Sequence, residues 1–163
     1  FGRETVRRPR LEPVGIGIAQ HLAITFGHEP RQALGQHIGA PGLHVGFGGR
    51  VDPFNGRAKM HKGVDFRGKP GTPILATGQG VISWAGRHPE FGNMVEIDHG
   101  NGLVTRYAHN SKLLVEVGTL VDEGQKIALM GRTGRATGVH LHYEVLKDGR
   151  QVNPARFLNA RRG

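Results

Sequence analysis

Alternating apolar and polar positions predict two β-hairpins in the second half of the chain. Residues 93–98 (NMVEID) alternate, and the turn sequence HGNG connects them to a second candidate strand at 103–108. Residues 139–146 alternate again and are followed by Asp148-Gly149, which predicts another tight turn and a short returning strand. Because a tight turn joins strands that run in opposite directions, the pattern favours an antiparallel sheet.

Further short apolar segments predict additional strands. Residues 72–84 are rich in apolar and β-branched residues interrupted by Gly78 and Gly80, which predicts two strands joined by a tight turn. Candidate strands at 113–117 and 126–130 follow. Short strands at regular spacing, with 27 glycines available for turns, are typical of an antiparallel sandwich or barrel.

Residues 1–42 differ from the β pattern that follows them. They mix Arg, Pro, Gly and isolated apolar residues without a sustained period, which is typical of a linker or prosegment. We therefore expect a mostly irregular segment at 1–42, with a weak helical candidate near 28–36, and a mainly β, antiparallel β-sandwich domain at 43–163. The apolar stretch 14–26 is shorter than the roughly 20 residues of a membrane span. No signal-peptide cleavage site is recognisable and the sequence begins at Phe1, so we expect any export signal or anchor to lie upstream.

The composition limits the chemistry available to the chain. Its 163 residues include no Cys, which excludes disulfides, thiolate metal sites and cysteine nucleophiles, so a metal would be held by imidazole and carboxylate groups. The formal net charge of +9 fits an anionic polymeric partner and fits a role in solubility equally well. Nucleic acid is the less favoured partner, because the basic residues are scattered and not interleaved with aromatic residues along one strand.

Two pairs of residues offer metal ligands. His140 and His142 are two apart on a candidate strand, so both imidazoles project from one face while Leu141 points to the other. His61 and Asp65 are four apart and share a face of an extended segment, although a helix would also bring them together. Imidazoles and one carboxylate acting as three ligands leave a fourth tetrahedral position for water, which is typical of a catalytic zinc site.

Tyr107 and His109 form a third element of interest. They follow the alternating strand that begins at Leu103, so we expect their side chains to share a face. Taken alone, His109 would be interpreted as a structural residue at a strand end.

Residues 46–152 resemble the lysostaphin-like, or LytM-type, M23 metallopeptidases of bacterial cell walls. The similar segments are, in order, GFGGRVDPFNGRAKMHKGVDF, GTPILATGQGV, FGNMVEIDHGNGLVTRYAH, VEVGTLVDEGQKIALMGRTGRATGVHLHYEV and VNP. They cover about two-thirds of the chain and agree with the family in order as well as content. The resemblance implies a LytM/lysostaphin-like β fold and zinc-dependent hydrolysis of peptide bonds in peptidoglycan.

The resemblance also implies roles for five residues. The HxxxD and HxH motifs supply the zinc ligands in that family, which implies His61, Asp65 and His142 as ligands of one Zn²⁺ per chain. The first histidine of HxH and the histidine of the YAH-type strand act on the attacking water and the developing negative charge, which implies catalytic roles for His140 and His109. Histidine suits both tasks because its ordinary pKa is near neutral.

Two neighbouring residues allow alternative interpretations. Glu144 shares the predicted face of His142 and would either orient that imidazole or form a surface salt bridge, which we favour slightly. Tyr107 would either line the substrate groove or pack in the core or at its rim, which we favour. The remaining histidines suggest no second site, and His99 is expected to serve its turn.

The function that we expect is endopeptidase cleavage of peptidoglycan cross-links. The alternative is a catalytically silent relative that activates other cell-wall hydrolases or binds peptidoglycan, although all five motif positions are intact. A biotinyl or lipoyl carrier, suggested by the segment VEVGTLVDEGQKIALMG, is disfavoured because no lysine stands at the modification position.

The scissile bond and the location are further expectations. D-alanyl–diaminopimelate and glycyl–glycyl bonds are both cut within the resembling family. The arginine-rich composition and the absence of a wall-targeting module favour the former bond and a Gram-negative periplasm, with peptidoglycan and not nucleic acid as the partner. We hypothesise that upstream sequence associates the protein with the cell envelope and that residues 1–42 cover the groove and hold the enzyme latent. The sequence does not indicate an oligomeric state.

Overall fold

The computed structural model describes residues 43–158, and within them the chain forms twelve β-strands and one short helix. In chain order these are β1 (Leu43–Val45), β2 (Gly48–Val51), β3 (Ala58–His61), β4 (Val64–Arg67), β5 (Pro73–Leu75), β6 (Gly80–His88), β7 (Gly92–Asp98), β8 (Leu103–Leu113), β9 (Leu120–Val121), β10 (Lys126–Met130), β11 (His140–Lys147), β12 (Arg150–Val152) and α1 (Ala155–Leu158).

Most strands belong to one antiparallel sheet. Its main path has the order β1-β4-β11-β8-β7-β6-β9, while β10 pairs with both β5 and β8, and β12 pairs with the C-terminal half of β11. β2 and β3 form a separate two-stranded hairpin. The expectation of a mainly β, antiparallel fold is confirmed, and the described part of the chain has no helix longer than the four residues of α1.

Among residues 43–158, one apolar cluster lies on one face of the main sheet. β11 contributes Leu141, Tyr143 and Val145, and the covering strands β5 and β10 contribute Ile74 and Ile127. All five are at most 1% exposed. Because side chains alternate along a strand, packing these residues inward fixes which side chains face outward.

The opposite, outer face of β4, β11, β8 and β7 carries polar residues. These are Asp65 on β4, His142 and Glu144 on β11, Arg106 on β8 and Glu96 on β7. One groove is lined by all of these residues except Glu96. The core therefore positions the candidate site through the register of the sheet.

Both predicted hairpins are confirmed. β7 pairs with β8, and β11 pairs with β12. Asn101 and Asp148 at the two turns adopt φ values of 52° and 50°, which Asn and Asp tolerate better than most residues.

The prediction of a strand at 113–117 is wrong. β8 continues to Leu113, and the residues after it lie outside strands. The backbone N–H groups of Leu114 and Gly118 donate to the carbonyls of Ile127 and Ile82, so this segment crosses from β8 towards β9. Val117 is 63% exposed, so its apolar side chain is not part of the core.

The prediction of a tight turn between two paired strands in 72–84 is also wrong. β5 and β6 both form, but β5 pairs with β10, and β6 pairs with β7 and β9. Gly80 is the first residue of β6, and a Cβ there would lie 2.6 Å from Cγ2 of Ile97. The absence of a side chain at Gly80 allows β6 to pass close to β7, and Gly80 is not part of a turn.

Several expectations fall outside the described residues. They concern the segment 1–42, including the helical candidate near 28–36 and the apolar stretch 14–26. Among residues 43–158, no helix is long and apolar enough to cross a membrane.

Candidate metal centre

Asp65 and His142 face each other across the β4–β11 ladder. They are directly paired in register, and Nδ1 of His142 lies 2.8 Å from Oδ1 of Asp65. Both residues are buried, at 5% and 7% exposure. Because adjacent strands of a packed sheet hold them, these two donor atoms have little freedom to separate.

His61 reaches the same point from the separate hairpin. Its Nε2 lies 3.1 Å from Oδ1 of Asp65 and 3.2 Å from Nδ1 of His142. The expectation that residues 61–65 form one extended segment is wrong, because β3 ends at His61, the chain bends at Gly63 and β4 begins at Val64. The bend between two strands of different sheets brings the pair together.

Gly63 allows this bend to pass close to β11. A Cβ at this position would lie 2.9 Å from Cε1 of His142 and 3.0 Å from Cγ of Glu144, and closer still to the carbonyl of Tyr143. A larger residue would therefore displace either the bend or the side chains that form the site.

The hydrogen bonds on the far side of each ring identify the atoms that converge. Nδ1 of His61 donates to the carbonyl of Gly46 at 2.7 Å, and Nε2 of His142 donates to Oε1 of Glu144 at 3.0 Å. In the neutral rings, Nε2 of His61 and Nδ1 of His142 are then unprotonated, and both face the carboxylate of Asp65. Three acceptor atoms within 4.8 Å of one another suit a divalent cation, and two imidazoles with one carboxylate are ligands that zinc accepts.

Glu144 is held in place by ion pairs that continue across two more strands. Nη1 of Arg106 donates to Oε2 of Glu144 at 2.7 Å, and Nε of Arg106 donates to Oε1 of Glu96 at 2.7 Å. Glu144, Arg106 and Glu96 are successive register partners on β11, β8 and β7. The interpretation of Glu144 as a surface salt bridge is wrong, because the residue is 2% exposed and its other oxygen orients His142.

Phe91 packs against both the imidazole and the guanidinium of this chain of contacts. Its ring stacks on His142 with 5.8 Å between centroids and 20° between planes. The guanidinium carbon of Arg106 lies 4.9 Å from the centre of the Phe91 ring. The ring therefore limits rotation of both side chains and reduces their contact with water.

The charges around His142 favour ionised carboxylates. Burial alone would raise the pKa of Asp65, but hydrogen bonds and charge from His142 and His61 hold it well below its ordinary value. Burial would likewise raise the pKa of Glu144, but His142 and Arg106 lower it. Burial would lower the pKa of His142, yet Asp65 and Glu144 raise it overall, so in the metal-free protein a proton competes for this ring.

His109 and His140 lie together beside the three converging atoms. Their ring centroids are 4.7 Å apart, and Nε2 of His140 lies 3.8 Å from Oδ1 of Asp65. Nδ1 of His109 donates to the carbonyl of Thr133 at 2.8 Å, and Nδ1 of His140 donates to the carbonyl of Gly138 at 2.9 Å. In both neutral rings Nε2 is then free to accept a proton.

Burial makes His109 a weaker base than an exposed histidine. Burial, together with the nearby His140 and His142, lowers the pKa of His109 to about 4, against the opposing effect of the Thr133 carbonyl. His109 is therefore neutral at pH 7, in the form that accepts a proton at Nε2.

The prediction that Tyr107 and His109 share a face is wrong. His109 adopts a φ of 64°, a left-handed backbone that breaks the alternation of β8. Tyr107 is fully buried in the core, where its hydroxyl lies 2.8 Å from Oγ1 of Thr77, while His109 lines the groove. The side-chain amide of Asn110 donates to the carbonyls of Tyr107 and Asn93 at 2.9 Å each and so holds this irregular turn of the strand.

The site lies at the bottom of a groove of about 540 Å³. One wall is the β2–β3 hairpin and the other is the loop of residues 131–139 between β10 and β11. The two walls are joined by Arg135, whose Nη2 lies 3.0 Å from both carboxylate oxygens of Asp52 and whose guanidinium lies over the ring of Phe54 at 4.5 Å.

Several contributing groups carry no signal in the sequence. The carbonyls of Gly46, Thr133 and Gly138 select the histidine tautomers, and any residue type could supply a carbonyl. Their role depends on loop paths that no local pattern encodes.

His99 is not part of the site. Its side chain is buried, Nδ1 donates to the carbonyl of Gln79 at 2.7 Å, and Nε2 lies 2.7 Å from Oγ1 of Thr105. The hairpin turn itself is capped by Asp98, which accepts from the N–H of Gly100 at 2.8 Å. His99 thus joins the turn to the core.

Comparison with known proteins gives a family match over most of the described domain. Residues 59–154 match the model of peptidase family M23. The chain is 49% identical to peptidoglycan DD-endopeptidase ShyA of Vibrio cholerae over 104 residues. The aligned region covers 64% of this chain and 24% of that protein. The chain thus spans about a quarter of the length of this curated relative.

Two solved structures are similar in fold and sequence. A zinc-containing peptidase from Vibrio cholerae matches with a TM-score of 0.65 and 45% identity, over 69% of this chain and 35% of that one. The catalytic domain of the antimicrobial peptidase lysostaphin from Staphylococcus simulans matches with a TM-score of 0.66 and 34% identity, over 72% of this chain and 92% of that one.

Proposed function

The chain belongs to peptidase family M23, and on that premise we propose that it is a zinc endopeptidase that hydrolyses peptide cross-links of bacterial peptidoglycan. The observation that carries the proposal is the convergence of His61, Asp65 and His142 with His109 and His140 beside them. The peptidase domain is assigned to residues 43–163, and the segment 1–42 is assigned as a linker or prosegment.

We assign the metal as zinc, one ion per chain, held by Nε2 of His61, Oδ1 of Asp65 and Nδ1 of His142. The donor set supports this assignment because it contains no thiolate and offers three ligands, as catalytic zinc sites do. The Vibrio cholerae structure that this chain resembles is described as a zinc-containing peptidase. Metal analysis after purification without added zinc tests the assignment.

His140 and His109 are the proposed catalytic residues. A bound zinc ion would polarise the scissile carbonyl and lower the pKa of a bound water to about 7. Nε2 of each histidine is free to accept a proton, because each Nδ1 donates to a backbone carbonyl. The pair can therefore take a proton from the attacking water, return one to the leaving amine and balance the negative charge that develops on the carbonyl oxygen.

The bond that we propose is the D-alanyl–diaminopimelate cross-link. The name of ShyA, peptidoglycan DD-endopeptidase, supports this choice, whereas lysostaphin resembles the chain at lower identity. A catalytically silent activator is the alternative, and it is disfavoured because all five site residues are in place.

Digestion of purified peptidoglycan of both cross-link chemistries, followed by mass analysis of the products, tests the proposed function. We expect the zinc-loaded protein to release peptides with a C-terminal D-alanine from diaminopimelate-type walls. The His140→Ala variant is the matched control for a contaminating hydrolase. Failure of the zinc-loaded protein to release peptides from either wall would contradict the proposal and favour the silent alternative.

This function places the protein outside the cytoplasm, at the cell wall, and we propose the periplasm of a Gram-negative cell. Association with the cell envelope and latency imposed by residues 1–42 are proposed with it. Comparing wall-digestion rates with and without residues 1–42 tests latency, and equal rates would reject it.

A further inference from the structure

The face of the β2–β3 hairpin that presents His61 also presents two cations. Gly48 pairs with His61 and Arg50 pairs with Lys59, so His61, Lys59 and Arg50 project from the same face of the hairpin. Directly paired residues on one face have Cβ atoms about 4.5–5.5 Å apart, which places two positive charges side by side next to the candidate metal centre. Both side chains line the groove.

This arrangement is unfavourable in the free protein. Like charges on directly paired positions destabilise a hairpin, and the carboxylate beside Lys59 only partly relieves them. That carboxylate, Asp52, lies 3.9 Å from Nζ of Lys59 but already accepts two 3.0 Å contacts from Arg135 and the N–H of Phe54 at 2.8 Å. Lys59 is therefore left 51% exposed with a weak partner.

Arg50 is also incompletely paired among the described residues. Its Nη1 lies 3.6 Å from Oδ2 of Asp65, beyond hydrogen-bond distance, and its side chain is 36% exposed. The other oxygen of Asp65 faces the imidazoles of His61 and His142, so the carboxylate is already engaged by the site. The guanidinium lines the groove, and no side-chain hydrogen bond engages its donors within residues 43–158.

The groove lining as a whole carries more cationic than carboxylate side chains. Its cationic side chains outnumber its carboxylates, six to four; the cations are Arg50, Lys59, Lys62, Arg67, Arg106 and Arg135. Among the carboxylates, Glu144 is paired with Arg106, Asp52 with Arg135, and Asp65 belongs to the metal centre. Of the other cations, Arg50 and Lys59 lie on the β2–β3 hairpin and Lys62 follows it directly, whereas Arg67 lies on β4.

We propose that Arg50 and Lys59 form a carboxylate-binding subsite, so that the preferred substrate carries a free carboxylate on the residue next to the scissile bond. This inference rests on the proposed peptidase function and defines its substrate class. A guanidinium binds a carboxylate through two parallel hydrogen bonds, and Lys59 adds a second positive charge. A neutral glycine bridge has no group for this subsite, and neither does a peptide in which the same carboxylate is an amide.

The test compares two synthetic cross-linked peptides that differ in this one group, a free carboxylate or its primary amide. We expect wild-type protein to cleave the carboxylate peptide with a kcat/KM about 10-fold or more above that of the amide, the effect of one charge-assisted contact at a partly exposed site. Arg50→Gln should reduce this ratio towards 1, and Arg50→Lys should retain part of it. Lys69→Gln, a change of an exposed cation outside the groove, should leave the ratio and both rates unchanged.

Zinc content and peptide affinity distinguish a carboxylate-binding subsite from a purely structural role of Arg50. If Arg50 acted only by holding Asp65, Arg50→Gln would lower zinc content and reduce cleavage of both peptides equally, which would overturn the proposal. A wild-type ratio near 1 would overturn it as well. If wild type cuts neither peptide, the proposed function fails. The subsite is then tested by binding, from the Kd of each peptide for the zinc-loaded His140→Ala variant. The carboxylate peptide should bind more tightly than the amide peptide, and adding Arg50→Gln should bring the two Kd values together.

Discussion

Nε2 of His142 donates to Glu144 at 3.0 Å, and this contact selects the nitrogen that faces the candidate metal position. The proton held on Nε2 leaves the lone pair on Nδ1, which lies 2.8 Å from Asp65. Arg106 fixes Glu144 in turn, so the orientation of His142 depends on an ion pair between strands and not on the imidazole alone.

Glu144→Gln should weaken metal binding without unfolding the domain. The amide can still accept a hydrogen bond from His142, but the negative charge that increases the basicity of the imidazole is lost. Loss of such an outer partner typically reduces metal affinity or activity about 10- to 100-fold. Competition for zinc against a chromophoric chelator measures the change. Glu123→Gln, an exposed turn residue, is the matched control, and an unchanged affinity in Glu144→Gln would refute the role.

His142→Ala and His140→Ala should separate metal binding from turnover. Removal of His142 deletes a proposed ligand and leaves Glu144 buried opposite an empty space, so both zinc and activity should be lost. Removal of His140 leaves the three converging atoms intact, so zinc should be retained while turnover falls by about 100-fold or more, the usual contribution of a general acid–base group. Metal analysis and cleavage assays on the same samples give both values. An active, zinc-free His142→Ala protein would exclude the ligand assignment.

The sequence predicted the hairpins because their signals are local. The alternation of residues 93–98 and 139–146 and the turns at Asn101 and Asp148 are determined by neighbouring residues, and these elements formed as expected. The pairing partner of β5 was not predictable in this way, because β5 pairs with β10, a strand about fifty residues away.

The candidate site was predictable where it depends on residue type and spacing. The alternation of β11 correctly gave His140 and His142 a common face, and Asp65 became a candidate only when its spacing from His61 was combined with this pair of histidines. The left-handed backbone of His109 and the buried position of Glu144 were missed, because both arise from packing between distant strands. The sequence therefore indicated the candidate groups of the site, and it offered the contact of Glu144 with His142 only as the less favoured of two alternatives.

Gly63→Ala should impair the metal centre although it removes no polar group. The added methyl would lie 2.9 Å from Cε1 of His142 and would also meet the carbonyl of Tyr143, so the bend between β3 and β4 must move. Overpacking of this kind costs about 1–3 kcal/mol of unfolding free energy, and zinc affinity should fall because His61 moves with the bend. Gly86→Ala is the matched control, since its nearest neighbour would be 3.8 Å away. Equal effects of the two substitutions on urea denaturation and zinc binding would contradict the prediction.

Mild acid should destabilise the fold through His99, whose side chain contacts Gln79 and Thr105 and not the candidate metal centre. Burial lowers the pKa of His99, against the opposing effects of the Gln79 carbonyl and Asp98. The unfolded chain therefore takes up this proton at higher pH than the folded protein. The contribution of the neutral imidazole to the free energy of unfolding is complete above its ordinary pKa of about 6.5. As pH falls below that value, the free energy of unfolding decreases by at most about 1.4 kcal/mol per pH unit. Urea denaturation of wild type and His99→Gln between pH 7 and 5 measures this slope. The variant should be less stable at pH 7, because the contacts with Gln79 and Thr105 are weakened, yet it should lose less stability on acidification. Parallel pH profiles would show that the buried imidazole does not titrate between the two states, and the assigned neutral form would then be wrong.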